Sequence, residues 1–274
     1  MSDPVKFPLW PDAAEASPSA PSGQSAFLTI YPAPHASASA PAPVIIICPG
    51  GGYCTLADHE GTAIVQWALS LGFAAALLHY RHSPHHRHPA PLADADRAIR
   101  TVRAEAGASH IDPNHVAIIG FSAGGHLVST ISTHFSAGDP HSSDPLARHS
   151  SRPDAAILCY PVIALTGEHA ERGSAKNLLG ERVTGPLAEA LSTHTKVTPQ
   201  TPPTFLFHTV EDAPVPMENS LLYAAALRKN GVPFELHLYE KGQHGVGLAK
   251  EDPVLQTWPD LCVRWLRSHG FVAP

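Results

Sequence analysis

The run Val116–Leu127 (VAIIGFSAGGHL) restricts the possible folds more than any other stretch of this 274-residue chain. Its first half, Val116–Phe121, is apolar and rich in β-branched residues, the pattern of a strand buried on both faces. From Gly124 to Phe135 the spacing is helical. Strand therefore passes to helix within Gly120-Phe121-Ser122-Ala123-Gly124. Gly120 and Gly124 have no Cβ, so strand and helix can approach closely enough to make the turn. Ser122, at its apex, is expected in a strained conformation with its hydroxyl clear of the sheet.

The same alternation runs along the rest of the chain. Strands are predicted at Phe27–Tyr31, Val44–Cys48, Phe73–Tyr80, Ala155–Tyr160, Thr204–Thr209 and Phe234–Tyr239. Helices are predicted at Gly61–Leu71, Pro91–Glu105, Met217–Asn230 and Val254–Ser268, the last entered or bent at Pro259. Short apolar strands separated by amphipathic helices specify βαβ units, hence an α/β fold: a mostly parallel central sheet with helices on both faces. Residues 1–43 read as a Pro/Ala/Ser-rich segment with one strand, and 44–274 as the main domain. Within it, residues 161–203 are polar with scattered Gly and Pro, and read as a small cap-like insertion.

Composition removes several classes of function. The hydrophobic fraction is 43% and the charged fraction 15%, which excludes a disordered chain. With 18 Lys and Arg against 24 Asp and Glu, the chain lacks the basic footprint of a nucleic-acid or anionic-membrane partner. No apolar run is long enough to span a bilayer and no leader pattern opens the sequence, so the expected location is cytoplasmic. Cys48, Cys54, Cys159 and Cys262 form no Cys-x-x-Cys pair, and Cys48, Cys159 and Cys262 read as buried free thiols.

In parallel sheets, ligands sit beyond the carboxyl ends of the strands, and the chemistry-bearing residues of this chain follow strands. Pro49-Gly50-Gly51-Gly52-Tyr53 follows the strand ending at Cys48 and offers bare backbone N–H groups. No Gly-Lys-Ser/Thr follows it, which argues against a phosphate loop. Glu211 and Asp212 follow the strand ending at Thr209, and His244 follows the strand ending at Tyr239. A serine acting in acyl transfer needs a histidine to take its proton and a carboxylate to orient that histidine. The order serine, acid, histidine, each after a strand, selects Ser122, Asp212 and His244. Glu211 is the rival acid. His126, one helical turn past Ser122, is the rival base, and Asp112 reads as a turn residue. The crowd of His79, His82, His85, His86 and His88 raises a metal site, but its spacing matches no ligand motif and it reads as a solvated loop.

Six segments in this order resemble one known family: PGGGY, HEGTAIVQWALSLGFAAALLHYR, HPAPLADADRAIRTVR, IDPNHVAIIGFSAGGHL, the stretch from Thr198 to Arg228, and YEKGQHGVGL. They are similar to the α/β-hydrolases of the bifunctional feruloyl and acetyl-xylan esterase type, over about Pro8 to Gly270. The resemblance implies a serine carboxylesterase with Ser122 as nucleophile, Asp212 as acid and His244 as base. It also implies Gly51, Gly52 and Ala123 as oxyanion donors. Pro49 stands where more distant relatives of the hormone-sensitive-lipase type carry a histidine before the three glycines. A small ester, such as that of an acetylated xylo-oligosaccharide, is the expected partner, and hydrolysis by ambient water calls for no cofactor and no metal. The rivals are an arylformamidase or peptidase using the same three residues, a non-catalytic binding protein on the same scaffold, and a metal-dependent hydrolase using the histidine crowd.

Overall fold

In the computed structural model, which describes residues 3–10 and 25–274, eight strands form one sheet in the order β1-β2-β4-β3-β5-β6-β7-β8. At its centre β3 (Ala42–Cys48) lies between β4 (Ala74–His79) and β5 (Ile111–Phe121), parallel to both. Beyond β5, the strands β6 (Ala155–Cys159), β7 (Thr204–Thr209) and β8 (Phe234–Tyr239) continue in parallel. On the other side β2 (Phe27–Tyr31) and β1 (Val5–Pro8) are antiparallel.

Side chains alternate across a strand, so neighbouring residues of β3 enter different cores. Val44 and Ile46 pack on one face, where α2 (Ala90–Ala104), α3 (Ala123–Thr133) and α6 (Glu218–Lys229) contribute Ile99, Leu127 and Leu227. Ile45 and Ile47 pack on the other, against Ile64 of α1 (Thr62–Ser70) and Trp258 and Trp265 of α7 (Trp258–Ser268). Each such buried side chain stabilises the fold by about 2 kcal/mol of apolar transfer. This is the layered α/β-hydrolase architecture expected from the sequence. Among the described residues, no helix is long and apolar enough to cross a membrane. Cys48, Cys159 and Cys262 are buried free thiols, as expected, and Cys54 is exposed.

Three elements differ from the sequence reading. The N-terminal segment holds a second strand, β1, whose four residues are mostly exposed and so lack the apolar pattern of a core strand. It is anchored by Trp10, whose indole N–H donates to buried Asp94 at 2.6 Å, a carboxylate that Arg81 also grips. Within the Pro/Ala/Ser-rich segment 1–43, residues 1–2 and 11–24 lie outside the described residues. Strand β5 starts at Ile111 rather than Val116, because Ile111 pairs with Ala42 before a register shift brings Val116 opposite Val44. The polar stretch 161–203 contains two helices, α4 (Arg172–Leu179) and α5 (Pro186–Ala190), and places Val162, Ile163, Leu165, Leu178 and Leu191 in the core.

Candidate active site

The parallel strands β3, β5, β6, β7 and β8 end at one edge of the sheet, and the loops leaving them build the site. Ser122 joins β5 to α3 with φ 52° and ψ −118°, a conformation an L-residue adopts only under constraint. The constraint is steric. A Cβ on Gly124 would lie 2.2 Å from the Cys48 carbonyl oxygen, and one on Gly120 would lie 2.2 Å from the Gly124 carbonyl oxygen. Hydrogen bonds fasten the turn, with Ser122 N–H donating to Cys159 O at 3.0 Å and Val162 N–H to Ser122 O at 3.1 Å.

The three residues selected by chain order meet here. Ser122 Oγ lies 2.8 Å from His244 Nε2, and His244 Nδ1 lies 2.6 Å from Asp212 Oδ2. The buried Asp212 also accepts from Val215 N–H at 2.9 Å through Oδ1, and has His208 Nε2 3.3 Å from Oδ2. Burial alone would push this carboxyl up. The hydrogen bonds from His208, His244 and Val215, with the adjacent imidazole charge of His244, outweigh it and hold the group down at about 2. Asp212 is thus an anion that accepts the Nδ1 proton of His244, which leaves Nε2 as the acceptor for the Ser122 hydroxyl.

The rival residues have other partners. Glu211 accepts from Gly242 N–H at 3.2 Å. His126 is buried, with Nε2 2.8 Å from the Leu191 carbonyl oxygen and Nδ1 2.8 Å from the Tyr53 hydroxyl. The carbonyl can only accept, so Nε2 carries the proton and Nδ1 accepts from Tyr53. Burial drives this imidazole down to about 4, with the Leu191 hydrogen bond offsetting it only in part. Asp112 caps a turn through Asn114 N–H and pairs with His115. In the histidine-rich segment, the His79 ring stacks on Phe27 at 4.2 Å and His82 Nδ1 lies 2.7 Å from Ser83 O. Among the described residues, no group of three or more His, Cys, Asp and Glu side chains is placed to hold a metal ion.

The glycine loop is fixed by its carbonyls. Gly50 O accepts from Ala57 N–H at 3.0 Å, and Gly51 O accepts from Cys54 N–H at 3.0 Å and Thr55 N–H at 3.1 Å. Across a trans peptide the next N–H points the opposite way, so the N–H groups of Gly51 and Gly52 turn away from this tight loop. Gly51 has φ 120° and Gly52 φ 61°, and a Cβ on Gly51 would meet Thr55 O at 2.3 Å. Both glycines line a cavity of about 330 Å³ together with Ser122 and His244. Helix α4 lines the same cavity through Gly173, Ser174 and Asn177, and Asn177 Nδ2 donates to Gly52 O at 2.8 Å. Ala123 does not line this cavity; it opens α3 directly behind Ser122, where backbone N–H groups have no partner within the helix.

Sequence reasoning missed Glu60. This carboxylate is buried on the cavity wall, accepting from Gly50 N–H at 2.7 Å and from the Tyr160 hydroxyl at 2.7 Å. Its signal in the sequence is one acidic residue opening the apolar helix stretch HEGTAIVQW, which by itself marks only a helix start.

Comparison with known proteins gives the family of the chain. The BD-FAE family model matches residues 28–227, a stretch that holds Ser122 and Asp212, with His244 beyond its end. An endo-1,4-beta-xylanase B of Butyrivibrio fibrisolvens is 37% identical over 214 residues, 76% of this chain and 33% of that protein. An acetylxylan esterase of Xylanibacter ruminicola is 35% identical over 233 residues, 82% of this chain and 45% of that protein. The chain thus spans a third to under a half of the length of these two curated relatives. The crystal structure of an acetyl ester-xyloside bifunctional hydrolase from Caldicellulosiruptor lactoaceticus superposes with a TM-score of 0.92 at 46% identity, covering 98% of this chain and 97% of that one. With the fold, the turn at Ser122 and these matches in agreement, the chain belongs to the BD-FAE family of α/β-hydrolases.

Proposed function

We propose that this protein is a serine carboxylesterase that hydrolyses short-acyl esters through an acyl-enzyme. The observation that carries the reading is the continuous relay from Ser122 Oγ through His244 to Asp212, at 2.8 and 2.6 Å. Ser122 Oγ attacks the ester carbonyl carbon while His244 Nε2 takes its proton. The N–H groups of Gly51, Gly52 and Ala123 receive the negative charge that forms on the carbonyl oxygen, a contribution on the order of 3 kcal/mol per donor. The protonated His244 then gives its proton to the departing alkoxide, leaving the acyl group on Ser122. Water, deprotonated by the same imidazole, attacks that ester and releases the acid and the free hydroxyl. Asp212 keeps His244 in the required tautomer and stabilises the imidazolium.

The proposed substrates are acetyl esters of xylo-oligosaccharides. Support comes from two similar proteins, an acetylxylan esterase and an acetyl ester-xyloside bifunctional hydrolase, and from the polar cavity wall of His59, Glu171 and Asn177. In this reading the segment 161–203 serves as a cap, since α4 lines the cavity beside the glycine loop.

The test is Ser122→Ala beside a panel of acetyl, butyryl and feruloyl esters, N-formylkynurenine and a proline peptide. The alanine variant should lose about 10⁶-fold in kcat, the scale of serine-triad knockouts. Near-native turnover of p-nitrophenyl acetate by that variant refutes the assignment of Ser122. A native enzyme that cleaves only the formamide or the peptide refutes the esterase assignment. Failure of a fluorophosphonate to label Ser122 would point instead to a non-catalytic scaffold.

A further inference from the structure

We propose that Glu60 is a positioning residue for this reaction, its carboxylate clamping the glycine loop to the loop that carries His244. The proposal rests on the esterase reading above. One carboxylate oxygen, Oε2, accepts from Gly50 N–H at 2.7 Å, next to the two glycines assigned as oxyanion donors. The other, Oε1, accepts from the Tyr160 hydroxyl at 2.7 Å. Tyr160 Oη in turn accepts from Gly247 N–H at 2.9 Å, three residues past His244, and the Tyr160 ring packs edge-on to the His244 ring at 5.1 Å. A parallel clasp runs from the neighbouring residue: His59 Nε2 lies 2.9 Å from Gly245 O. Donors of the oxyanion and the general base thus lean on the same short segment.

The chemistry of the clamp requires a carboxylate. Every hydrogen in it points toward Glu60, from Gly247 to Tyr160, from Tyr160 to Oε1, and from Gly50 to Oε2. Only a group that accepts on both oxygens completes the set. A buried carboxylate is costly when its hydrogen bonds come from a peptide and a phenol and its ion-pair contact is His59 Nε2 at 3.6 Å rather than a Lys or Arg, so burying one here for shape alone would be unfavourable. A glutamine has nearly the same shape but fails in both orientations. With its oxygen toward Gly50, its NH₂ meets a Tyr160 oxygen already taken by Gly247, and the Tyr160 proton loses its acceptor. Turned over, the NH₂ faces Gly50 N–H, donor against donor. Either arrangement loosens the spacing between oxyanion donors and base.

The experiment measures kcat and KM for p-nitrophenyl acetate, and the thermal midpoint, for Glu60→Gln, Tyr160→Phe, the double variant and Ser122→Ala. Misplacing reacting groups by about 1 Å costs on the order of 10²-fold, so Glu60→Gln should lose about that in kcat with KM within about twofold. Tyr160→Phe keeps the ring against His244 and should lose about tenfold. Because both act through one chain of hydrogen bonds, the double variant should fall clearly short of the product of the two losses. Glu60→Gln with kcat within twofold of the parent overturns the clamp, as do losses that multiply independently. If Glu60→Gln does not fold, Tyr160→Phe decides alone, and an unchanged kcat there overturns the proposal. An active Ser122→Ala would overturn the esterase reading itself; an inactive one beside a fully active Glu60→Gln overturns only the clamp.

Discussion

The turn at Ser122 and the clamp at Glu60 hold the same chemistry in place by opposite means. The turn is held by shape: Gly120 and Gly124 admit backbone to within a distance that any Cβ would violate, and every residue involved is a near neighbour of another in the chain or the sheet. The clamp is held by charge and hydrogen bonding, through residues as far apart as Glu60 and Tyr160, which are 100 positions distant. Shape of the first kind tolerates no added atom but is indifferent to pH. Polar fastening of the second kind tolerates an isosteric change without collapse, yet loses its function when one donor or acceptor is exchanged. Substitutions in the shape-held region should therefore cost stability, and substitutions in the charge-held region should cost rate.

Asp212→Asn applies that contrast where the effect is largest. The amide keeps the shape of the carboxylate but can present NH₂ to His244 Nδ1, which favours the wrong tautomer. We expect kcat to fall on the order of 10⁴-fold with the fold retained, and the thermal midpoint at neutral pH to fall as well, because His208, His244 and Val215 lose an anionic acceptor. A loss of rate matched by a loss of fold would show that Asp212 is structural rather than orienting. Next is Gly124→Ala, on the shape-held side. The added methyl meets Cys48 O at 2.2 Å and Pro49 O at 2.5 Å, both backbone atoms that cannot swing away. We expect a stability loss of about 4 kcal/mol, at the severe end for a single methyl, read by urea unfolding. A stable but inactive Gly124→Ala protein would dissolve the distinction.

The same division explains what could be read from the sequence. Strands β3, β4 and β6, and β5 from Val116 onward, are buried on both faces, so each appears as an apolar run such as Val44–Cys48. The turn at Ser122 is local, and its glycines are spelled out at fixed offsets. Asp212 and His244 were legible because chain order in a parallel sheet tells which loops share an edge. Glu60 was not, since it accepts from one backbone N–H group and one distant hydroxyl, neither of which leaves a pattern in residue types. Strand β1 escaped for a different reason: it is a short, mostly exposed edge whose pairing needs β2 to exist first. In 161–203, buried residues such as Leu165 and Leu178 are separated by polar ones that face the cavity or solvent, which hides the core pattern.

His126 offers a smaller, pH-dependent test, because it supports the glycine loop from behind through Tyr53. Its folded-state value lies at about 4, below the ordinary imidazole value of about 6.5 it recovers on unfolding. Between those values the unfolded chain binds a proton that the native chain does not. The associated stability is complete above about pH 6.5 and is lost as pH falls toward 4, by up to about 3 kcal/mol. His126→Gln removes this proton, so its unfolding free energy should depend less steeply on pH between 6.5 and 4 than that of the parent. An equal change in unfolding free energy between pH 7 and pH 4.5 for parent and variant, read by urea titration, would show that the buried imidazole takes up its proton without penalty.

The smallest effect is expected at Glu211, immediately before Asp212 in the chain. Adjacent residues of an irregular loop can point in different directions, and here only one of the two carboxylates reaches His244. Asp212 is enclosed by His208, Val215 and His244, whereas Glu211 is exposed and accepts a single 3.2 Å hydrogen bond from Gly242 N–H. An exposed carboxylate in water adds little field at a neighbouring imidazole, because solvent screens it. Glu211→Gln should therefore keep kcat within about twofold and stability within about 0.5 kcal/mol, the usual range for surface changes. The pair Asp212→Asn and Glu211→Gln also separates enclosure from mere proximity. If the exposed neighbour lowered kcat as strongly as the enclosed one, orientation of His244 would depend on the net charge of the loop, and the fixed 2.6 Å contact to Asp212 would lose its special role.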